Sequence, residues 1–115
     1  MTWIYFLDLQ DDPTRIAEYE RHHRAVWPEV LTHLRQSGIQ RCRIYRAGNR
    51  LTMLLDSDRP VATDGGNEPV SDRVMQWETL MDQFQQRLPF AGPGEKWVQA
   101  NSIFDWSSPE SSDNQ

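Results

Sequence analysis

The chain has a single cysteine, Cys42, so it closes no internal disulfide, and a fold that does without one fits a reducing compartment. Positive charge is also scarce. Twelve Lys and Arg stand against seventeen Asp and Glu, a net charge of −5, with no basic block anywhere. Such a surface repels phosphate backbones and anionic lipid, which sets aside nucleic acid and membrane as partners. Nothing approaches the roughly 20 consecutive apolar residues of a membrane span. The opening "MTWIYFLDL" has no basic leader and runs at once into "QDDP", too short and wrongly flanked for a signal peptide, so the expected address is the cytoplasm. The three histidines lack a His-x-x-x-His spacing and Cys42 has no second thiol, so no metal site is expected. There is no internal repeat and no linker. At 115 residues the chain is expected to be one domain over 1–106, with 107–115 a polar, disordered tail.

What the chain does have is aromatic surface, including five tryptophans. Flat indoles serve a core, and they also suit flat or sugar-like ligands. "TWIYFLDL" alternates as a first strand with apolar groups on both faces. "DDPTRIAEYERHH" opens with aspartates and an early proline, the composition of a helix start, and carries the stripe Ile16, Tyr19, His23. Pro28 must kink or restart that helix. "WPEVLTHLRQSG" continues it, with Val30, Leu31 and Leu34 expected inward and Gly38 as the stop. "IQRCRIYR" and "RLTMLLD" read as a hairpin around "AGN". Residues 57–70, rich in Pro, Gly and Asp, read as a loop long enough to cover a pocket. A second helix is expected over 71–88, with Val74, Trp77, Met81 and Phe84 at helical spacing, and "KWVQANSIFDW" as the last strand.

The order β, kinked α, β, β, α, β predicts an α+β fold: a ferredoxin-like βαββαβ antiparallel sheet with its helices on one face. Because the first and last strands carry apolar residues on both faces, a second copy of the same sheet is the expected cover for the other side, a face-to-face homodimer.

Tyr19 and His23 are four apart, on the helix face turned inward. A buried histidine is most often a satisfied core residue. Here a phenol one turn before, an indole four residues after and a helix break beside them favour chemistry: imidazole shuttles protons near neutral pH, and a phenol donates a hydrogen bond uncharged. His22 and His33 are read as solvated. Arg41, Arg43 and Tyr45 share one strand face, either an exposed charged face or a wall able to bind hydroxyls.

"EYERHHRAVWPEVLTHLRQSGIQRCRIYR" resembles the Tyr-x-x-x-His-x-x-x-Trp-Pro-Glu signature of the L-rhamnose mutarotase family, small dimeric α+β barrel proteins that interconvert the anomers of 6-deoxy-L-sugars; the likeness runs over residues 3–106. The resemblance implies a cofactor-free isomerase acting on a small sugar, with His23 as proton donor and Tyr19 as a sugar contact. Trp77 matches the second of an adjacent tryptophan pair whose first member is here Gln76, and a further sugar-contacting tyrosine falls on Cys42. Trp27 and Trp77 offer faces for the sugar's C–H patches, with Trp97 a lesser candidate. "WETLMDQFQQRLPFAGPGEKWV" is similar to the L-fucose mutarotase branch in "FQQ", "LP" and "PGEKW", which favours L-fucose over L-rhamnose. Oxygenases and ligand-binding modules share this fold and stand as the alternatives.

Overall fold

The computed structural model describes residues 1–58 and 71–109. The expected covering loop therefore lies outside the described residues from position 59 on, and so does the tail from 110 on.

The elements run β1 (Thr2–Leu9), α1 (Pro13–His23), α2 (Pro28–Gln36), β2 (Ile39–Ala47), β3 (Arg50–Ser57), α3 (Asp72–Asp82), β4 (Gln85–Gln86) and β5 (Val98–Gln99). All strands pair antiparallel in the order β2-β3-β1-β4, with β5 also on β1. This is the ferredoxin-like α+β arrangement expected, with the first helix and the last strand each delivered in two pieces.

Local chemistry sets the boundaries. The Asp12 carboxylate accepts from the backbone N–H groups of Thr14 and Arg15, and Pro13 needs no partner at the first helical position. Pro28 restarts the helix, with the Trp27 carbonyl taking the first bonds of α2, so Trp27 is fixed at the junction. Gly38, at φ +85°, turns the chain out of α2, and Gly48, at φ +61°, occupies the first central position of the β2–β3 turn, a left-handed place that suits glycine.

Trp3, Tyr5, Leu7 and Leu9 of β1 share a sheet face with Leu51, Met53 and Leu55 of β3 and with Cys42 and Ile44 of β2. Tyr19, Val30, Val74, Trp77 and Met81 from the helices close on that face to form the core. The opposite face carries Ile4, Phe6, Leu54, Arg43 and Tyr45, with Ile4 40% and Tyr45 55% exposed. Arg41, Arg43 and Tyr45 thus point away from Tyr19 and His23, and Arg43 reaches Asp56 at 3.7 Å.

Three expectations are corrected. The helix expected to reach residue 88 ends at Asp82, because Gln85 leaves it to pair with Leu9; Phe84 and Leu88 keep their burial from outside a helix. The last strand shrinks to Val98–Gln99. The register that sets Gln99 opposite Tyr5 would bring Ile103 opposite Met1, so later residues run past the end of β1, and Ile103, Phe104 and Trp106 are 96%, 84% and 72% exposed. Leu31, expected inward, is 49% exposed; with the helix restarted at Pro28, Val30 takes the inward position and its neighbour is rotated about 100° away.

Candidate functional site

The i, i+4 spacing on α1 places the rings of Tyr19 and His23 4.4 Å apart. His23 Nδ1 lies 2.9 Å from the Tyr19 carbonyl oxygen. A carbonyl only accepts, so Nδ1 carries the hydrogen, and in the neutral ring Nε2 keeps a free lone pair. Burial holds the His23 pKa below its ordinary value; the bond to the Tyr19 carbonyl opposes that lowering and His22 adds to it. Near neutral pH the ring is therefore a neutral base. Burial also pushes the Tyr19 phenol up to about 12, with the Gln85 amide opposing and Glu78 and Cys42 adding, so Tyr19 is a permanent O–H donor over the working range. Cys42 is half-buried beside it, its thiol kept protonated by desolvation.

Trp77, from the middle of α3, meets His23 edge-on at 5.5 Å and Trp27 edge-on at 5.2 Å. The structure thus brings all four expected residues, Tyr19, His23, Trp27 and Trp77, into one contiguous cluster, with Trp77 buried and Trp27 partly so. His22 departs from its solvated reading. It is half-buried, with its ring 5.6 Å from Phe84 and 6.4 Å from Trp77, because α3 and the chain after it wrap further round α1 than one helix face suggests. Trp97 is buried in the core.

Two neighbours were missed from the sequence. The Arg73 guanidinium lies 3.9 Å from the centre of the Trp27 ring, donates to Gln76 at 2.9 Å and approaches Glu29 at 3.9 Å. One face of Trp27 is therefore covered by a cation. The Arg73–Gln76 spacing of three was the readable half of that signal; the stacking is tertiary. Gln85 reads as a helix-surface residue in a helix running to 88, and only its pairing with Leu9 carries it beside Tyr19. The arrangement joins a neutral imidazole base, a phenol donor and indole surface, which suits proton transfer on a hydroxylated small molecule.

Comparison with known proteins agrees. The family model for L-rhamnose mutarotase matches residues 3–106. This chain belongs to the L-rhamnose mutarotase family. Within it, the L-fucose mutarotase of Xanthomonas campestris pv. campestris is 46% identical over 104 residues, covering 87% of this chain and 83% of that protein. The L-rhamnose mutarotase of Burkholderia ambifaria is 32% identical over 88 residues, covering 74% and 82%. The crystal structure of an L-rhamnose mutarotase from Formosa agariphila superposes with a TM-score of 0.67 over 93% of this chain and 99% of that one; at 18% identity it speaks to the fold alone. Among the described residues, no helix is long and apolar enough to cross a membrane.

Proposed function

We propose that this member of the mutarotase family interconverts the α and β anomers of a 6-deoxy-L-hexose, L-fucose before L-rhamnose, as a cytoplasmic homodimer of one mutarotase domain spanning residues 1–106. Mutarotation takes the proton from the anomeric hydroxyl, breaks the bond from C1 to the ring oxygen while that oxygen gains a proton, and recloses the open aldehyde on its other face. One proton moves and nothing is oxidised. The observation that carries the reading is His23 itself: its Nδ1–H is spent on the Tyr19 carbonyl, which leaves a neutral Nε2 to take the proton and return it. Tyr19 donates to a sugar oxygen, and Trp27 and Trp77 offer apolar edges to the C–H patches and the 6-methyl. The preference for L-fucose rests on the relative that is 46% identical, with Cys42 and Gln76 as the departures from the rhamnose pattern. The homodimer is supported by the helix-free sheet face, where Ile4 and Tyr45 are exposed.

Saturation-transfer NMR between the two anomeric signals, with and without protein, tests the proposal. L-fucose exchange should accelerate most, L-rhamnose less and D-glucose little, since a methyl-sized contact discriminates by about 1–3 kcal/mol. Equal acceleration of all three sugars, or of none, refutes it.

A further inference from the structure

Gln85 has no part in the scheme above, yet it stands beside the Tyr19 phenol. It occupies β4 opposite Leu9, directly after Phe84, whose ring lies edge-on to Tyr19 at 6.2 Å. Its side chain hydrogen-bonds the Tyr19 phenol in the sense that opposes the raised pKa, so the amide N–H is the donor and the phenol oxygen accepts. Its Oε1 is buried and has no hydrogen-bond partner among the described residues. Buried acceptors are nearly always paired, so an orphan of this kind next to a candidate site asks for a donor that arrives from outside.

The charged groups nearby are committed elsewhere. A cavity of about 170 Å³ is lined by Asp82, Gln85, Arg87 and Lys96. Lys96 Nζ is held by Asp82 at 2.6 Å and Glu78 at 3.1 Å, and Arg87 donates to the Glu95 carbonyl at 3.1 Å. On the sugar side, the polar groups already assigned are one acceptor, His23 Nε2, which the anomeric hydroxyl engages, and one donor, the Tyr19 hydroxyl. A hexose brings further ring hydroxyls, each with a proton to donate, and no acceptor assigned so far receives one.

We propose that Gln85 is a specificity-determining residue whose Oε1 accepts a hydrogen bond from a ring hydroxyl of the bound sugar other than the anomeric one. The inference rests on the mutarotase reading of the Tyr19–His23 site. It also gives the early end of α3 a purpose: a residue carried on as helix would stay on the α3 surface, whereas the turn into β4 delivers the amide next to the phenol. The rival account is a structural amide satisfied by water in the neighbouring cavity.

A substrate-truncation cycle separates the two. Anomer exchange would be measured by saturation-transfer NMR for L-fucose and its 2-deoxy, 3-deoxy and 4-deoxy analogues, on the parent and on Gln85→Met, which keeps length and loses the acceptor. Gln85→Met should lower kcat/KM on L-fucose about ten- to a hundredfold. One analogue alone, the one lacking the hydroxyl that Gln85 receives, should be slow on the parent and no slower on the variant. Equal losses on all four sugars, or no loss on any, overturn the assignment while leaving the mutarotase reading standing. A parent that accelerates none of them sinks that reading and this proposal with it. If Gln85→Met does not fold, Gln85→Glu carries the test: it keeps an acceptor, so discrimination against the same single analogue must survive, and its disappearance overturns the proposal.

Discussion

His23→Asn separates a catalytic imidazole from a core one, and the structure sets both magnitudes. The asparagine amide nitrogen is bonded to Cγ just as Nδ1 is, so it can keep the donor to the Tyr19 carbonyl, now at 2.9 Å, and the end of α1 stays tied. What disappears is the ring, with its contacts to Tyr19 at 4.4 Å and Trp77 at 5.5 Å. At about 0.5–1.5 kcal/mol for each aromatic pair, the variant should lose about 1–3 kcal/mol of stability, which lowers Tm by about 5–15 °C in a domain of this size. Against a typical stability of about 5–15 kcal/mol it remains folded at 25 °C. Removing Nε2 should meanwhile cut L-fucose anomer exchange per folded molecule by about 10² or more. Scanning calorimetry and saturation-transfer NMR on one preparation read the two effects side by side. His22 is unsuitable as a control because it packs on Phe84; His33, on α2 between Thr32 and Gln36, takes that place as His33→Asn, with exchange unchanged. A folded His23→Asn protein that exchanges anomers within a few-fold of the parent would refute the acid–base assignment and leave the imidazole a packing residue.

The depressed His23 pKa has a stability consequence with a definite sign: below about 6.5 the unfolded chain binds a proton that the folded one refuses, so Tm should fall as pH drops from 6.5 toward the folded pKa, and His23→Asn should flatten that slope. A parent Tm indifferent to pH over that window, or an equal slope in the variant, counts against a buried neutral ring. Arg73→Ala removes a guanidinium stacked on Trp27, worth about 0.5–1 kcal/mol, and an ion pair to Glu29 that contributes little at half exposure; Tm should fall by a few degrees and the sugar KM should rise several-fold with kcat nearly kept. An unchanged KM would mean that Trp27 needs no support from Arg73. On the helix-free face, Leu54→Asp should turn the proposed dimer into a monomer in sedimentation at micromolar concentration, and a parent already monomeric there would remove the dimer reading altogether.

Much of this architecture was legible because period and punctuation agree. The alternation in β1, the hairpin glycine at 48 and the proline at 28 each announce one local geometry, and the chain adopts it. The edge pieces were not legible. A two-residue strand such as Gln85–Gln86 has no period to detect, and the apolar spacing of Val74, Trp77, Met81 and Phe84 runs smoothly through the point where α3 stops. The site divides the same way. Tyr19 and His23 meet through a single helical turn, so spacing alone joins them, and the Trp27–Pro28–Glu29 motif fixes where α2 restarts. The contacts of Trp77 with His23 and Trp27 cross from α3 to the first helices, and Arg73 and Gln85 reach the site only through tertiary packing. His22 shows how far a one-helix view carries: rotation about the axis of α1 puts it off the stripe, but it cannot report that Phe84 comes round to meet it.

The two edges of β1 are fastened very differently. One is zipped to β3 from Thr2 to Asp8; the other is held by β4 at Asp8 and Leu9, by β5 at Tyr5 and Phe6, and by the Ala100 N–H on the Ile4 carbonyl. Opening the first requires dismantling the sheet, whereas the second can detach as a unit at a lower free energy. Amide hydrogen exchange should therefore divide the molecule in time, with the amides bonded within the β1–β3 and β2–β3 ladders exchanging only through global unfolding and residues 85–100 exchanging sooner. Tyr19, in one core cluster with the slow sheet, and Gln85, carried on the fast edge, would then sit on opposite sides of one kinetic boundary.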